Sequence, residues 1–186
     1  MLNKKKFVFA QTEVEYCWFT VSEHGYTVSG QLVEALRDFP IPVSKQDVRS
    51  FCGLLQQFEA FSLGLTDWLV PLRWLLSNKT TFVREEPQQN AFETVLRELT
   101  KPRILANFDH KSPLRLETDA AQSNGLAMAL RQQQEDDQWR LLQCSSRHVM
   151  RTESRYSATE IELLAVVWAA RRECVTKPRL PTSKGK

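Results

Sequence analysis

The chain has 186 residues, of which 42% are hydrophobic and 25% charged, a balance typical of a globular protein. Its formal net charge of +3 permits contact with nucleic acid without requiring it. No apolar run approaches the roughly 20 residues of a membrane span, the basic N-terminus lacks the apolar core of a signal peptide, and the four cysteines have no zinc-site or disulfide-framework spacing. We therefore expect an intracellular protein, cytoplasmic or nuclear, that makes no membrane contact.

The sequence of residues 7–28 predicts a β-hairpin. Val14, Tyr16 and Trp18 are spaced as on one face of a strand, and Glu23-His24-Gly25 is a turn signal. The hairpin is expected to precede a helical region.

Four helical stretches are predicted between residues 29 and 100. Ser29 is a candidate cap for a helix running to about Phe39, and Ser44 for a second one. Residues 63–76 have a leucine stripe at helical spacing, with Trp68 and Trp74 as candidate anchors. Pro87 suits the first turn of a fourth helix, with buried positions expected at Phe92, Val95, Leu96 and Leu99. Together these stretches predict a compact helical subdomain.

The last third of the chain predicts three antiparallel strands and one helix. Residues 114–119 alternate apolar and polar side chains, which is the period of a half-buried strand. Residues 126–130 and 139–144 predict two further strands, with a polar tip between them. A helix over 158–172 is apolar on most of its sides. The fold class expected for the whole chain is α+β.

Two carboxylates stand out in this unit. Asp119 ends the first strand, and Glu162 has apolar neighbours on its own side of the helix. A buried lone carboxylate is usually paired, protonated or bound to a metal. Glu160 has another role, because Ser157 and Glu160 have the spacing of a capping box. On spacing alone, a turn role for Asp119 and a partly exposed first-turn position for Glu162 remain the favoured alternatives.

The order of motifs in this unit resembles the RNase H domain of gypsy-type long-terminal-repeat retrotransposon Pol proteins. The chain reads Glu117-Thr118-Asp119-Ala120, then Gly125-Leu126, then Ser145-Ser146-Arg147, then a Tyr-Ser-x-x-Glu-x-Glu-Leu-Leu-Ala-Val-Val helix over 156–167. The resemblance implies that Asp119 and Glu162 are the first two of four carboxylates. In that family they hold Mg²⁺, or Mn²⁺, for hydrolysis of RNA in RNA–DNA hybrids.

The resemblance extends over residues 7–172 and implies the end of a reverse transcriptase. Residues 1–28 resemble the end of the polymerase palm with its primer-grip hairpin, and residues 29–106 the thumb and connection. Residues 107–174 resemble the N-terminal half of the RNase H-like domain, and residues 175–186 predict a disordered basic tail. The domain boundary is expected near residues 107–113.

The chain departs from the family pattern at several positions. The polymerase aspartates lie upstream in the family, and no Asp follows Asp137 to complete the four RNase H carboxylates. Cys17-Trp18 replaces a Leu-Gly pair. Glu59-Ala60 replaces an arginine pair, which should weaken contact with phosphates. The family is an RNA-directed DNA polymerase with RNase H activity, and we expect this chain alone to be inactive.

The partners that the resemblance implies are an RNA–DNA hybrid or another duplex nucleic acid, and the rest of a Pol protein acting in trans. Candidate nucleic-acid contacts are Tyr16, Lys45, Arg49, Arg147 and Arg155. Two alternatives remain open: a non-catalytic nucleic-acid-binding module and a protein-interaction remnant. Without a fourth strand, the strand ending at Asp119 should be an open sheet edge, and the final helix should keep an uncovered apolar face.

Overall fold

The computed structural model of the chain describes residues 9–77, 81–121 and 125–176, with side chains to residue 172. Its strands are β1 (Glu13–Tyr16), β2 (Phe19–Ser22), β3 (Gly25–Val28), β4 (Leu114–Ala121), β5 (Gly125–Gln133) and β6 (Trp139–Arg147). Its α-helices are α1 (Gly30–Arg37), α2 (Lys45–Leu55), α3 (Leu65–Trp68), α4 (Val70–Trp74), α5 (Glu86–Leu99) and α6 (Ala158–Thr176), with 3₁₀ turns at Gln56–Phe61 and Glu153–Arg155. The predicted α+β class is confirmed. The disordered tail was predicted to begin at residue 175, but α6 continues to Thr176. Residues 177–186 lie outside the described residues.

The N-terminal strands form a three-stranded antiparallel sheet, where a two-stranded hairpin was predicted. β2 pairs with both neighbours, with Val14 opposite Val21 and Thr20 opposite Thr27. The prediction counted Trp18 as a strand residue. Cys17 and Trp18 instead have φ of 48° and 72°, so they form a two-residue turn that ends β1 at Tyr16. Of the predicted hairpin, residues 7 and 8 lie outside the described part of the chain, and Phe9 lies in no strand.

The predicted helix caps in the helical subdomain are present. Ser29 Oγ accepts a hydrogen bond from the Leu32 N–H, so it caps α1. Ser44 and Asp47 form a reciprocal capping box at α2, in which each side chain accepts from the other residue's N–H. Pro87 lies in the first turn of α5. Short-range signals therefore determine where these three helices begin.

The predicted helix over 63–76 is two short helices, α3 and α4, which meet at Leu69. Pro71 lies in the first turn of α4, where its missing N–H removes no hydrogen bond. The leucine stripe still faces the core, because Leu65, Leu69, Leu72 and Leu75 are buried. Trp68 packs against that core, but Trp74 is 62% exposed and does not anchor the subdomain.

The C-terminal unit is the sheet β4–β5–β6 with α6 packed against it. Asp119 pairs with Ala127 across the first two strands, and Ala127 pairs with Ser146 across the next two. Ile161 and Ala165 of α6 pack on Leu126 of the sheet. Within the described residues β4 pairs only with β5, so its outer edge is open.

Gly125 makes the start of β5 possible. Its φ of +108° is strained for any residue with a side chain, and an added Cβ would lie 2.2 Å from the carbonyl oxygen of Arg147. The glycine therefore permits close contact between β5 and the end of β6.

Hydrogen bonds join the N-terminal sheet to the C-terminal unit. Tyr26 of β3 exchanges two hydrogen bonds with Leu105, at 2.9 and 3.0 Å. The Ala106 N–H donates to the carbonyl of Leu141, and the Tyr26 hydroxyl donates to the carbonyl of Leu142. The segment after α5 therefore links the N-terminal sheet to β6. Among the helices of the described residues, none has the length and apolar character needed to cross a membrane.

Candidate metal site and nucleic-acid interface

Asp119 lies near the end of β4 and is exposed. It lines a cavity of about 330 Å³ together with Glu117 of the same strand and with Gly64 and Asp67 of the helical subdomain. Its neighbour Ala120 packs against the cluster formed by Leu126 and α6. Because side chains alternate along a strand, Asp119 belongs to the sheet face on which Gly64 lies.

Glu162 lies in the second turn of α6 and is exposed. The buried residues that flank it along the helix are Ile161 and Ala165. The exposure of Glu162 agrees with the structural alternative that spacing alone favours, in which Glu162 is a partly exposed acid near the start of the helix.

The separate role predicted for Glu160 is confirmed. Its carboxylate accepts hydrogen bonds from the backbone N–H and the hydroxyl of Ser157, both at 2.8 Å, and its own N–H donates to Ser157 Oγ. The backbone N–H of Ser157, followed by its hydroxyl, lowers the pKa of Glu160. Glu160 thus belongs to the cap of α6, and Glu162 has no part in it.

The donor chemistry of Asp119 and Glu162 suits Mg²⁺, which prefers carboxylate oxygens. The elements that carry them are in contact, since α6 packs against β4. Asp119, however, belongs to the sheet face opposite the one on which Ala120 meets α6. However, the described residues contain no group of three or more His, Cys, Asp or Glu side chains placed to hold a metal ion. The two carboxylates are therefore at most part of a metal site.

The candidate nucleic-acid contacts lie on four separate elements. Tyr16 of β1 is 70% exposed, and Arg49 of α2 and Arg155 of the second 3₁₀ turn are also exposed. Lys45 starts α2 and donates a hydrogen bond from Nζ to the Ser77 carbonyl at 2.7 Å. Tyr16, Arg49 and Arg155 are thus the candidates most accessible to a ligand.

Arg147, the fifth candidate, is engaged within the protein. Its guanidinium binds Glu153 through two hydrogen bonds of 2.7 and 2.9 Å, donates to the His148 carbonyl and lies 5.7 Å from the ring centre of Trp168. Glu153 is buried, and the hydrogen bonds from Arg147 lower its pKa. A phosphate contact by Arg147 would require breaking this ion pair.

Glu59 makes contacts within the protein, whereas the sequence analysis gave it only a weakening effect on contact with phosphates. Its carboxylate accepts hydrogen bonds from the Ser145 hydroxyl of β6 and from Arg172 of α6. The Cys144 thiol donates to the carbonyl oxygens of Glu59 and Ala60, and burial raises its pKa to about 12. Glu59 therefore joins the helical subdomain to the C-terminal unit. The partner of Glu59 that is nearest in the sequence, Cys144, is 85 residues away. No local sequence signal could therefore have identified these contacts.

Comparison with known proteins agrees with this architecture. A protein-family model described as "RNase H-like domain found in reverse transcriptase" matches residues 85–175. The chain is 31% identical over 180 residues to the retrovirus-related Pol polyprotein from transposon gypsy of Drosophila melanogaster. It is 25% identical over 167 residues to the transposon Tf2-3 polyprotein of Schizosaccharomyces pombe. Each match covers 90% of this chain, but only 17% and 12% of the respective polyproteins.

Solved structures show the same fold at low sequence identity. The foamy viral protease-reverse transcriptase in complex with RNA/DNA hybrid aligns with a TM-score of 0.77 at 18% identity, over 91% of this chain and 23% of that one. The same enzyme in complex with dsDNA aligns with a TM-score of 0.72 at 17% identity, over 89% of this chain and 34% of that one. Residues 85–175 thus match the model of an RNase H-like domain found in reverse transcriptases, within a chain similar to the Pol polyprotein of transposon gypsy.

Proposed function

We propose that this chain is the part of a reverse transcriptase that holds an RNA–DNA hybrid between a thumb-like subdomain and an RNase H-like unit. In the parent protein, the activities are RNA-directed DNA synthesis and two-metal hydrolysis of the RNA strand. The observation that supports the proposal most is the docking of the helical subdomain on β6. It places Gly64 and Asp67 at the same cavity as Asp119.

We assign residues 29–106 to the thumb and connection and residues 107–174 to the first half of the RNase H-like domain. Residues 1–28 are assigned to the end of the polymerase palm with its primer-grip hairpin. The solved structure with RNA/DNA hybrid shares the fold over 91% of this chain, which supports a hybrid as the ligand.

The proposed metal ligands are Asp119 and Glu162. When bound, Mg²⁺ or Mn²⁺ would activate water and stabilise the leaving oxygen. The two carboxylates would supply part of its oxygen ligands. Because no larger ligand group exists among the described residues, we expect the chain alone to bind a hybrid without cleaving it.

We assign phosphate contacts to the accessible candidates, Arg49 and Arg155, and a contact with a sugar or base to the exposed Tyr16. Each neutralised phosphate releases counterions, so binding that depends on these residues weakens with salt. Lys45 would bind a phosphate only when its hydrogen bond to the Ser77 carbonyl is broken.

Fluorescence anisotropy of a labelled RNA–DNA hybrid, titrated at several salt concentrations, tests this proposal. We expect Arg49→Gln or Arg155→Gln to weaken binding and to reduce the slope of log K against log salt by about one. Arg37→Gln, at an exposed α1 position outside the proposed contacts, is the matched control and should leave the slope unchanged. A wild-type chain with no salt-dependent hybrid binding would contradict the proposal.

The second candidate function is a protein-interaction remnant that has lost its nucleic-acid ligand. The specific observation in its favour is Glu59, which replaces the arginine pair and faces the C-terminal unit. Absence of hybrid binding, with the fold intact by circular dichroism, would favour this alternative.

A further inference from the structure

A cavity of about 350 Å³ lies between β3, α1 and the segment that follows α5. Its volume is within the range of about 300 to 1,000 Å³ that is usual for small-molecule sites. Helix α1 lines it at the i, i+3, i+4 and i+7 positions of one face, which are Gly30, Val33, Glu34 and Arg37. Residues 99–103 also line it. It shares no lining residue with the cavity at Asp119, so it is a separate feature, which we call the α1 cavity.

The α1 cavity has an apolar surface that is already in place. Half-buried Val28 and Val33 line it together with buried Phe61 and Leu99. The Phe61 ring stacks on the ring of Phe19, with the ring centres 5.9 Å apart. This contact holds Phe61 in place without a ligand. An apolar molecule would therefore bind a preformed surface and lose little free energy to rearrangement of the protein.

The charged residues of the α1 cavity sum to a single positive charge. Its lining includes three cations, Arg37, Lys101 and Arg103, and one acid, Glu34. The carboxylate of Glu98 adds a second acid, since it lies 2.8 Å from Lys101 Nζ and 4.0 Å from the Arg103 guanidinium. Three cations and two acids leave one positive charge. A ligand with one negative charge would therefore neutralise the site, whereas a ligand with several would bring uncompensated charge.

Arg37 is the cation that remains available to a ligand. Lys101 is paired with Glu98, and Arg103 donates a hydrogen bond to the Phe61 carbonyl at 2.8 Å. Arg37 is exposed in the last turn of α1 and has neither a hydrogen bond nor an ion pair with another residue that the structure describes. A guanidinium has donors arranged to bind two oxygens of a carboxylate or a sulfonate at once. The acidic group of a ligand is therefore expected at Arg37.

We propose that the α1 cavity binds a small organic monoanion, an aromatic molecule with one carboxylate or sulfonate group. The aromatic body lies against Val33 and Phe61, and the acidic group binds Arg37. None of these residues is among the proposed metal ligands or hybrid contacts. The inference therefore does not depend on the proposed nucleic-acid function.

Fluorescence titration of the full chain with anilinonaphthalene sulfonate, an aromatic probe with one negative charge, tests the proposal. We expect a Kd of about 10 to 100 µM for the wild type. Phenylnaphthylamine has the same rings without the sulfonate, so it reports on the apolar contact alone. Arg37→Gln should weaken binding of the sulfonate probe about five- to tenfold and leave binding of the uncharged probe unchanged. Arg49→Gln, at an exposed position of α2 outside the cavity, is the matched control. Equal weakening of both probes by Arg37→Gln, or no weakening of either, would overturn the proposal.

A second variant fills the α1 cavity. Gly30 lines it, and a Cβ added there would meet no atom within 4 Å, so a larger side chain has room. Gly30→Phe should therefore fold, since glycine is also a poor helix former, and it should weaken binding of both probes at least about tenfold. Gly53→Phe is the matched control, because Gly53 is a helical glycine with equally open surroundings outside the cavity. Wild-type affinity in a folded Gly30→Phe, or equal losses in both variants, would overturn the proposal.

An NMR titration of the wild type makes the test independent of any variant. The backbone amide signal of Gly30 should shift as the sulfonate probe is added, and the signal of Gly53 should not. Saturable binding without a shift at Gly30 would place the probe elsewhere and would overturn the proposal. Absence of binding at probe concentrations up to about 1 mM would overturn it as well.

Discussion

The carboxylate of Glu59 lies 3.0 Å from the Arg172 guanidinium, a contact between residues 113 positions apart in the sequence. The same carboxylate accepts a hydrogen bond from Ser145. A residue of the helical subdomain is thereby tied to both β6 and α6, so Glu59 helps to set the position of this subdomain relative to the C-terminal unit.

Removing this charge should weaken the junction. Glu59→Gln is expected to lower the free energy of unfolding by about 1 kcal/mol, because it removes an ion pair and weakens the Ser145 hydrogen bond. Urea denaturation of Glu59→Gln, Arg172→Gln and the double variant should give a coupling energy of about 0.5 to 1 kcal/mol. Glu135→Gln, at an exposed turn, is the control and should have little effect. Additive single-variant effects would show that the pair contributes nothing.

Local signals and long-range contacts differ in how well the sequence predicts them. The caps at Ser29 and Ser44 and the first-turn Pro87 act within four residues, so they could be recognised directly. The Glu59–Arg172 pair depends on how separate elements pack, and nothing near either residue indicates it.

The same difference between local signals and long-range contacts applies to the candidate site. Asp119 and Glu162 were identified by their place in a motif order, whereas alternation and spacing alone favoured structural roles. Asp119 shares its cavity with Asp67 of α3, an element that precedes it in the chain by a long stretch, so no local pattern indicates this neighbour. The exposure of Glu162 depends on which face of α6 meets the sheet, and a helix that is apolar on most sides does not reveal that face.

The turn between β1 and β2 carries strain that a single substitution should relieve. Trp18 has φ of 72° and is 55% exposed. A positive φ is disfavoured for residues with a Cβ and tolerated by glycine. Trp18→Gly should therefore be more stable than Trp18→Ala by about 1 kcal/mol in thermal or urea unfolding. Equal stability of the two variants would show that the turn is unstrained.

The Arg147–Glu153 pair should matter more for stability than surface ion pairs do. Glu153 is 6% exposed, and its carboxylate also accepts a hydrogen bond from the Met150 N–H. Arg147→Met leaves that buried carboxylate without its cation and should cost about 3 kcal/mol in urea unfolding. Arg151→Met, four residues later at an exposed position, is the matched control. A cost below about 1 kcal/mol would mean that the pair behaves like a surface ion pair.

His148, which interacts with Arg73 and Asp67 of the helical subdomain, should make the stability of the protein depend on pH. Burial, then the positive charge of Arg73, lowers the His148 pKa from its usual 6.5, while Asp67 opposes the shift. The unfolded chain therefore binds a proton first as pH falls, so this contribution to stability is full above about pH 6.5 and decreases as pH falls further.

The measurement is the free energy of unfolding between about pH 8 and pH 5, a range above the ordinary carboxylate pKa values. The wild type should lose stability across this range more steeply than His148→Gln, which lacks the titrating group. Arg73→Gln should give an intermediate slope, because burial still acts on the histidine. Identical slopes for wild type and His148→Gln would contradict this account.

The most direct test of the central claim is cleavage of a labelled RNA–DNA hybrid in Mg²⁺ or Mn²⁺, with Asp119→Asn beside the wild type and hybrid binding measured in the same samples. If Asp119 and Glu162 supply only part of the metal ligands, as proposed, both proteins should bind the hybrid and the wild type should show no cleavage above the Asp119→Asn level. Cleavage by the wild type that Asp119→Asn abolishes would contradict it, and would mean that Asp119 belongs to a working metal site in this chain.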